Sequence, residues 1–408
     1  MTGRPPDQSQ LGASDADAEP DARQQVVHIP VLVDAVLAAL APRDDALYVD
    51  ATFGTGGYSM ALLGAARCRV VGIDRDPDAV RRGRNLAERL GGRLTIIQGR
   101  FGEMVRLLAS VEVGPIAGIA FDLGVSSVQL DRPERGFSFR FDGPLDMRMS
   151  GEGPSAADLI ASLSERQLAK LIGDFGEERF ARRVARAIIA AQHCRPIRRT
   201  IELAEIVRAA VPKPEPGQDP ATRTFQALRI AVNDELGELD RGLVAAEQLL
   251  MHDGRLAVVS FHSLEDRRVK RFLQRRGEGA SRTSRHVPDL VRGPEPSFKL
   301  LGRRAIRPDP VEIARNPRAR AARLRVAQRN AAPAWPAGCT GLNGRRKGQG
   351  AWSSSALYFG WLWFRRLALR RSPSSTGSSL WRTSSTEPGG RLSPRSTRFV
   401  PTMLNGLT

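Results

Sequence analysis

The chain has 408 residues, a formal net charge of +18 and three cysteines. This length allows two domains with their own cores, while the wide spacing of Cys68, Cys194 and Cys339 argues against a zinc site or a disulfide framework. No run of about 18 apolar residues occurs, and the first 25 residues lack the apolar stretch of a signal peptide, so we expect a soluble cytoplasmic protein.

The positive charge is unevenly distributed and predicts a polyanionic partner. Residues 331–408 contain eleven Lys or Arg and one acid, which leaves 18 − 10 = +8 for residues 1–330. All five tryptophans also fall in 331–408, among Ser, Arg, Gly and Pro, without a helical or strand period. We interpret this segment as a low-complexity, disordered tail or an accidental extension, with a nucleic-acid-binding arm as the alternative. Residues 1–25 are interpreted as a disordered N-terminal tail.

Between these tails, strand-like apolar runs alternate with helical segments, which is typical of a parallel sheet in an α/β protein. Sequential strands of this kind wind into a Rossmann-like sheet whose ligands bind at the carboxyl ends of the strands. The predicted strands cover residues 46–50, 69–73, 94–98, 116–122 and 255–261, with a helix over 76–90 and a last strand over 324–328 that could be antiparallel.

The fourth and fifth predicted strands are too far apart in sequence for a single crossover. The intervening residues predict helices over 155–162, 164–174, 177–192 and 200–210, and then one long helix over 222–251. Two of the starts, Ser155-x-x-Asp158 and Ser164-x-x-Gln167, resemble capping boxes. We therefore predict a discontinuous catalytic domain (26–131 and 222–330) interrupted by a loop and a small all-helical substrate-recognition domain (132–221).

A glycine-rich turn follows the first strand, in the sequence DATFGTGGY at 50–58. Its glycines allow the main chain to approach a ligand closely. A nicotinamide fingerprint would need a further glycine at Ser59. Asp50 would repel a pyrophosphate but suits the sulfonium and amino group of S-adenosylmethionine. The turn therefore favours a methyltransferase, and the alternative is a tight strand-to-helix connection without a ligand.

Asp74 ends the second strand, 18 residues after Gly56. A carboxylate there can accept two hydrogen bonds from the ribose hydroxyls of an adenosine. The alternative is a solvated helix start, because Asp76-Pro77 follows with capping signals of its own. Phe101, just after the third strand, is apolar where an adenine ring would lie, although such a phenylalanine also suits a core.

Asp122 ends the fourth strand, where this topology faces the transferring methyl group. Methylation of an exocyclic amine is helped by a carboxylate that accepts the amine hydrogens, and Asp122 could do this or hold the methionine end of the cofactor. A plain strand-terminating turn is the alternative. Ser126 and Gln129 are nearby polar candidates. His262 follows the fifth strand and is a candidate general base, or else a hydrogen-bonded turn residue.

In the loop over 135–149, phenylalanine occupies every second position at Phe137, Phe139 and Phe141. Arg140 lies between the last two, and Arg148 follows near the end of the loop. Such a loop could stack on an unpaired base while its arginines bind phosphates. It could equally be a loop that its aromatic side chains attach to the protein.

Ten motifs, in order, resemble those of the RsmH family, also called MraW, the 16S ribosomal RNA cytosine-N4 methyltransferases. The resemblance covers about residues 26–330. It implies a Rossmann-like S-adenosylmethionine-dependent methyltransferase sheet with an inserted helical domain, and a methyl donor used without a metal. The implied acceptor is a decoding-centre cytidine of 16S rRNA in the small ribosomal subunit, with no membrane partner. The motifs include HIPVLVDAV at 28–36, DATFGTGGYS at 50–59, DLGVSS at 122–127, RGFSF at 135–139 and SFHSLEDR at 260–267.

The resemblance also implies a set of binding residues. Tyr58 stands where other members can have histidine, so only a backbone contact is expected there. In many DNA amino-methyltransferases a Pro-Pro-aromatic sequence follows the acid, and the motif at Asp122 does not contain it. The surface that stacks on the substrate base is therefore expected in the loop of Phe137, Phe139, Arg140 and Arg148. Carried over position by position, the cofactor contacts fall on Gly56, Gly57, Tyr58, Asp74, Phe101, Asp122 and Gln129.

Two other classes of function remain open from the sequence. One is a DNA or protein methyltransferase that uses the same donor. The other is a non-catalytic RNA-binding or assembly factor with a vestigial pocket, which the intact glycines, Asp74 and Asp122 argue against. The sequence also leaves the oligomeric state open, with a homodimer among the options.

Overall fold

The computed structural model describes residues 30–111, 113–278 and 294–336. The predicted tail at 1–25 and most of the predicted tail at 331–408 lie outside the described residues. Among the described helices, none has both the length and the apolar character needed to cross a membrane.

A seven-stranded sheet with the order β3-β2-β1-β4-β5-β7-β6 lies at the centre of the fold. Strands β1 to β5 run parallel, whereas β7 is antiparallel to β5 and β6 is antiparallel to β7. This arrangement confirms the Rossmann-like α/β prediction and the antiparallel last strand. The strands are β1 Leu47–Asp50, β2 Arg69–Asp74, β3 Leu94–Gln98, β4 Ile116–Asp122, β5 Leu250–Ser260, β6 Phe298–Leu300 and β7 Arg323–Arg329.

Helices cover both faces of the sheet. Side chains of α1 and α2, such as Val36 and Leu62, pack on one face. Side chains of α4, α11 and α12, such as Leu108, Leu243 and Phe272, pack on the other. The helices are α1 Val33–Leu40, α2 Gly57–Ala65, α3 Pro77–Glu88, α4 Met104–Ala109, α5 Ser127–Asp131, α6 Ala156–Ser162, α7 Glu165–Gly176, α8 Ala181–Cys194, α9 Thr200–Ala210, α10 Ala221–Asn233, α11 Glu235–Leu249, α12 Ser263–Glu278 and α13 Pro310–Arg315.

Helices α6 to α10 form a separate apolar core, which includes Leu168, Val184, Leu203 and Phe225. The predicted capping boxes at Ser155 and Ser164 begin α6 and α7. These two boxes are confirmed, and they satisfy backbone N–H groups that a helix start otherwise leaves unpaired.

The prediction of one long helix over 222–251 is wrong, because the chain breaks at Asp234. Asp234 adopts a left-handed conformation with φ of 50°, which aspartate tolerates better than most residues. Just before it, the side chain of Asn233 is committed to the loop, accepting from Met149 N at 3.0 Å and donating to Met147 O at 2.7 Å. Helix α10 therefore belongs to the inserted core, and the chain returns to the sheet only with α11.

A buried ion pair holds the last described residues against the sheet. Arg276 Nε donates to Glu247 Oε2 at 3.0 Å, and both side chains are almost completely buried. Glu247 Oε1 also accepts from Ser297 Oγ at 2.5 Å and from Trp335 N at 3.2 Å. The Trp335 ring lies 4.3 Å from the Arg276 guanidinium. The packed fold thus includes Trp335, which the predicted boundary at 330 assigned to the tail.

Candidate active site

Three aspartates end neighbouring parallel strands at one edge of the sheet. Asp50 closes β1, Asp74 closes β2 and Asp122 closes β4. The register pairs Asp50 with Gly72 and Ala120, so the three strand ends lie close together. Because carboxylates repel phosphates and attract cations, this edge suits a cationic ligand better than a pyrophosphate.

The glycine-rich turn is organised by Asp50 and Asp74. Asp50 accepts from Ser59 N at 3.2 Å and from Ser59 Oγ at 2.8 Å, and burial, with the charge of Asp74 nearby, raises the pKa of Asp50 to about 6. Gly54 N donates to Asp74 Oδ2 at 2.7 Å. These contacts fix the conformation of the turn between β1 and α2.

Any other residue at Gly56 or Gly57 of this turn would cause backbone strain or a steric clash. Gly56 has φ of 83°, a conformation that costs other residues strain. A Cβ on Gly57 would lie 2.4 Å from Pro30 Cγ. The glycine spacing thus reflects backbone conformation and close packing as well as any ligand.

The side chains of Tyr58, Ser126 and Gln129 are engaged within the protein. Tyr58 OH donates to Val31 O at 2.5 Å. Ser126 and Gln129 form a capping box at the start of α5, and Gln129 Nε2 donates to Asp76 Oδ2 at 2.7 Å. Because the Tyr58 side chain is bonded to Val31, its backbone is the part that could contact a ligand. The Ser126 side chain is occupied as a helix cap.

Asp74 and Phe101 lie beside the turn, at the ends of β2 and β3. Asp74 Oδ1 accepts from Asp76 N at 2.8 Å, and burial raises the pKa of Asp74 above its ordinary range. The half-buried Phe101 ring meets the Phe121 ring edge to face, with centroids 5.4 Å apart. A Cβ on Gly242 of α11 would lie 2.6 Å from Phe101, so this glycine allows the ring its position.

Asp122 has a buried side-chain oxygen, Oδ1, without a hydrogen-bond partner among the described residues. Its backbone N donates to Thr52 Oγ1 at 2.6 Å, which ties β4 to the glycine turn. Burial, with Asp50 and Glu265 nearby, raises the pKa of Asp122 to about 8. A buried acceptor of this kind is energetically costly unless a ligand satisfies it.

His262 lies beyond β5 in a cluster with Glu235 and Glu265. His262 Nε2 is 3.2 Å from Glu265 Oε1, although the geometry is not that of a hydrogen bond. Burial acts to raise the pKa of Glu265, but His262 and Arg229 hold it below its ordinary range. Three potential metal ligands meet within 4.8 Å here, yet Arg229 binds both oxygens of Glu235 at 2.8 Å. This cationic neighbour favours an ion-pair cluster over a cation site.

The phenylalanine loop is organised differently from its predicted role as a stacking surface. Phe137 is 6% exposed and belongs to the core of the insertion. Phe139 packs edge to face on Phe225, with ring centroids 4.8 Å apart. Only Phe141, at 61% exposure, presents its ring to solvent, next to the exposed Arg140. Phe137 and Phe139 therefore fit the other interpretation, in which aromatic side chains attach the loop to the protein. Burying these two rings removes their apolar surface from water, which stabilises the attached loop.

Arg148, the last predicted substrate contact, is also engaged within the loop. Its Nη2 donates to Asp146 Oδ2 at 2.6 Å and its Nη1 donates to Gly153 O at 3.0 Å. Arg135 binds Asp76 Oδ2 at 3.0 Å, which links this loop to the start of α3. The loop is thereby held beside the start of α3, next to the strand that Asp74 closes.

Residues that the sequence did not single out complete the edge. Thr52 Oγ1 accepts from the Asp122 backbone N, and Glu235, which Arg229 binds, lies near His262. The position of Thr52, two residues after Asp50 in the turn, was a usable signal. Nothing in the sequence pattern links Arg229 to His262, since they come from α10 and from the loop after β5.

Comparison with known proteins gives extensive matches. Residues 25–330 match the MraW methylase family. The chain is 60% identical over 309 residues to "Ribosomal RNA small subunit methyltransferase H" of Paramagnetospirillum magneticum, covering 76% of this chain and 97% of that protein. It is 60% identical over 308 residues to the same-named protein of Rhodospirillum centenum, covering 76% and 94%. It is 56% identical over 310 residues to that of Parvibaculum lavamentivorans, covering 76% and 91%.

Proposed function

Because this chain belongs to the MraW methylase family, we propose that it transfers a methyl group from S-adenosylmethionine to N4 of a decoding-centre cytidine in 16S rRNA. Membership confirms the resemblance found in the motifs and makes the chain an rRNA small subunit methyltransferase. The observation that carries the finer proposal is Asp122, a buried acceptor without a partner beside the glycine turn. An exocyclic amine offers the hydrogens that this oxygen lacks.

The described residues fit S-adenosylmethionine. The glycine turn and Asp74 lie together at the ends of β1 and β2, where Asp74 Oδ2 accepts from Gly54 N at 2.7 Å. Each carboxylate oxygen can accept a further hydrogen bond, so Asp74 can still bind ribose hydroxyls. Phe101 offers an apolar wall for the adenine. Burial raises the pKa values of Asp50 and Asp122, and so do neighbouring carboxylates, Asp74 for Asp50 and Asp50 with Glu265 for Asp122. A nearby positive charge would relieve both effects. When bound, S-adenosylmethionine supplies an electrophilic methyl group on a sulfonium.

Asp122 has the properties needed to prepare an amine for attack. Its carboxylate can accept hydrogen bonds from N4, which frees the nitrogen lone pair from the ring and directs it toward the methyl carbon. As the C–N bond forms and the C–S bond breaks, Asp122 can take the proton that N4 loses. A pKa near 8 is close to the operating pH, where general bases are effective.

The inserted helical domain supports the acceptor side of the site. Glu177, at the end of α7, contacts Ser263 and accepts from Arg267 Nη2 at 2.9 Å, at the start of α12. The insertion therefore meets the carboxyl edge of the sheet directly after His262. We propose that these groups form the wall against which a cytidine, drawn out of its stack, is held.

The proposal is tested by supplying the protein with labelled S-adenosylmethionine and small ribosomal subunits that lack the modification. We expect label in N4-methylcytidine after digestion of 16S rRNA to nucleosides. Free 16S rRNA, DNA and ribosomal proteins serve as parallel substrates. Label in another nucleoside, in DNA or in protein, or no label at all, would contradict the proposal.

Asp74→Asn is expected to weaken S-adenosylmethionine binding about 10- to 100-fold, because hydrogen bonds to a charged acceptor contribute roughly 1.5–3 kcal/mol. Isothermal titration calorimetry measures this loss directly. Asp45→Asn removes the same charge at an exposed position before β1 and is expected to bind normally. An unchanged dissociation constant for Asp74→Asn, at unchanged thermal stability, would show that this carboxylate does not contact the ribose.

A further inference from the structure

The net positive charge of residues 1–330 is concentrated in the last 32 of them. Residues 299–330 contain ten Lys or Arg and two acids, a net +8, which equals the net charge of the whole of residues 1–330. Nine of these ten cations lie in residues 299–325, which we call the arginine segment. Residues 1–298 therefore have no net charge, and a polyanion would be attracted most strongly to the arginine segment.

Most of the cations in the arginine segment are available to a partner. Three are engaged within the protein, since Arg318 binds Asp131, and Arg323 and Arg325 bind Asp266. The other six side chains are exposed and have no acidic partner among the described residues: Lys299, Arg303, Arg304, Arg307, Arg315 and Arg320. Uncompensated cations at this density are typical of surfaces that bind phosphates.

A groove in this surface has the size and lining for part of a nucleotide chain. It measures about 400 Å³ and lies between α12 and the chain around β6. Lys270, Gln274, Arg303 and Arg325 supply polar groups, and Leu300 supplies an apolar wall. Leu301 and Ile306, which are exposed in the same segment, offer apolar contacts to ribose and base faces.

The arginine segment lies along the edge that carries the candidate active site. Arg323 pairs with Ser260 at the end of β5, two residues before His262. Arg318 reaches Asp131 at the end of α5, and Glu312 Oε1 accepts from Leu32 N at 2.6 Å. A strand of RNA on this surface could therefore continue into the cleft beside Asp122.

The helical insertion is a weaker candidate for the same role. Residues 155–220 contain eleven Lys or Arg and nine acids, a net +2. Several of these cations are already paired, among them Arg186 with Glu165, Arg195 with Glu202 and Arg208 with Asp219. The charge distribution favours a positioning role for the insertion and phosphate binding by the arginine segment.

We propose that the arginine segment binds the phosphate backbone of the rRNA substrate and that the groove beside Lys270 holds part of this backbone. The inference rests on the proposed function, because it assigns the partner of that site. It adds a surface outside the group of residues that act on the reacting atoms, whose contribution is to affinity and not to the chemical step.

The test compares two triple variants of the full chain with the same change in charge. The first carries Arg303→Gln, Arg304→Gln and Arg307→Gln. The control carries Arg166→Gln, Arg182→Gln and Arg183→Gln, three exposed cations of the insertion. Binding to unmodified small subunits and to a decoding-centre RNA fragment is measured over a range of KCl concentrations. We expect the first variant to lose at least about tenfold in affinity and about 2 to 3 in the slope of log Kd against log salt, with the control nearly unchanged.

Equal losses in both variants, a loss only in the control, or no loss in either would overturn the inference. Anionic phospholipid vesicles are tested in parallel, and a loss of vesicle binding without a loss of RNA binding would assign the surface to a membrane instead. Binding is measured without methyl transfer. A protein that binds rRNA through this segment but yields no N4-methylcytidine would contradict the proposed function and leave this inference standing.

Discussion

Asp122→Asn is expected to lower kcat for methyl transfer by about 10²- to 10⁴-fold, the usual contribution of a positioned proton acceptor. The amide keeps the size of the side chain but directs an N–H group or a weaker acceptor toward the amine. Rates measured with saturating S-adenosylmethionine and small subunits separate this loss from any change in binding. Asp131→Asn, an exposed acid at the end of α5, is the control and should retain most activity.

The same substitution should stabilise the ligand-free protein. The raised pKa of Asp122 means that the folded state binds more protons than the unfolded state between about pH 4 and pH 8. The free energy of unfolding therefore falls as pH rises through this window. Asp122→Asn removes the effect, so its advantage should be absent near pH 4 and reach about 1 kcal/mol or more at pH 8. A variant that is inactive and equally destabilised at both pH values would instead indicate a structural role.

Arg276→Met is expected to lower the free energy of unfolding by about 3–5 kcal/mol, because it leaves Glu247 buried without its cation. Denaturant unfolding followed by fluorescence measures this loss. The double variant with Glu247→Gln should recover part of it, since the buried charge is then removed as well. Arg195→Met breaks an exposed ion pair and is expected to cost less than about 1 kcal/mol. If the Arg276 and Arg195 variants lost equal stability, the buried pair would not anchor the end of the fold.

The sheet could be predicted because its strands are short apolar runs that end in polar residues. Runs such as Ile116–Asp122 are buried on both faces, which gives them a continuous apolar sequence. β6 was missed because three residues carry no measurable period. The break at Asp234 was missed because apolar spacing continues through α10 and α11, although the two helices face different cores.

The candidate site was predictable where it depends on positions at strand ends and not where it depends on tertiary packing. Asp50, Asp74 and Asp122 each follow a recognisable strand, so topology alone brings them to one edge. The burial of Phe137 and Phe139 depends on Phe225 and the insertion core, which no local pattern reveals. The same holds for Trp335. Tryptophan occurs in this sequence only beyond residue 330, which assigned Trp335 to the tail, but its ring packs on Arg276.

The inserted domain also affects the order in which the fold can form. Strands β4 and β5 are neighbours in the sheet, yet Asp122 and Leu250 are 128 positions apart. During synthesis at about 5–20 residues per second, roughly 6–25 s pass before β5 can follow β4 out of the ribosome. The unpaired edge of β4 is exposed for that interval. The insertion has an apolar core of its own, so it can fold first and shorten the effective loop that must close when the two strands meet.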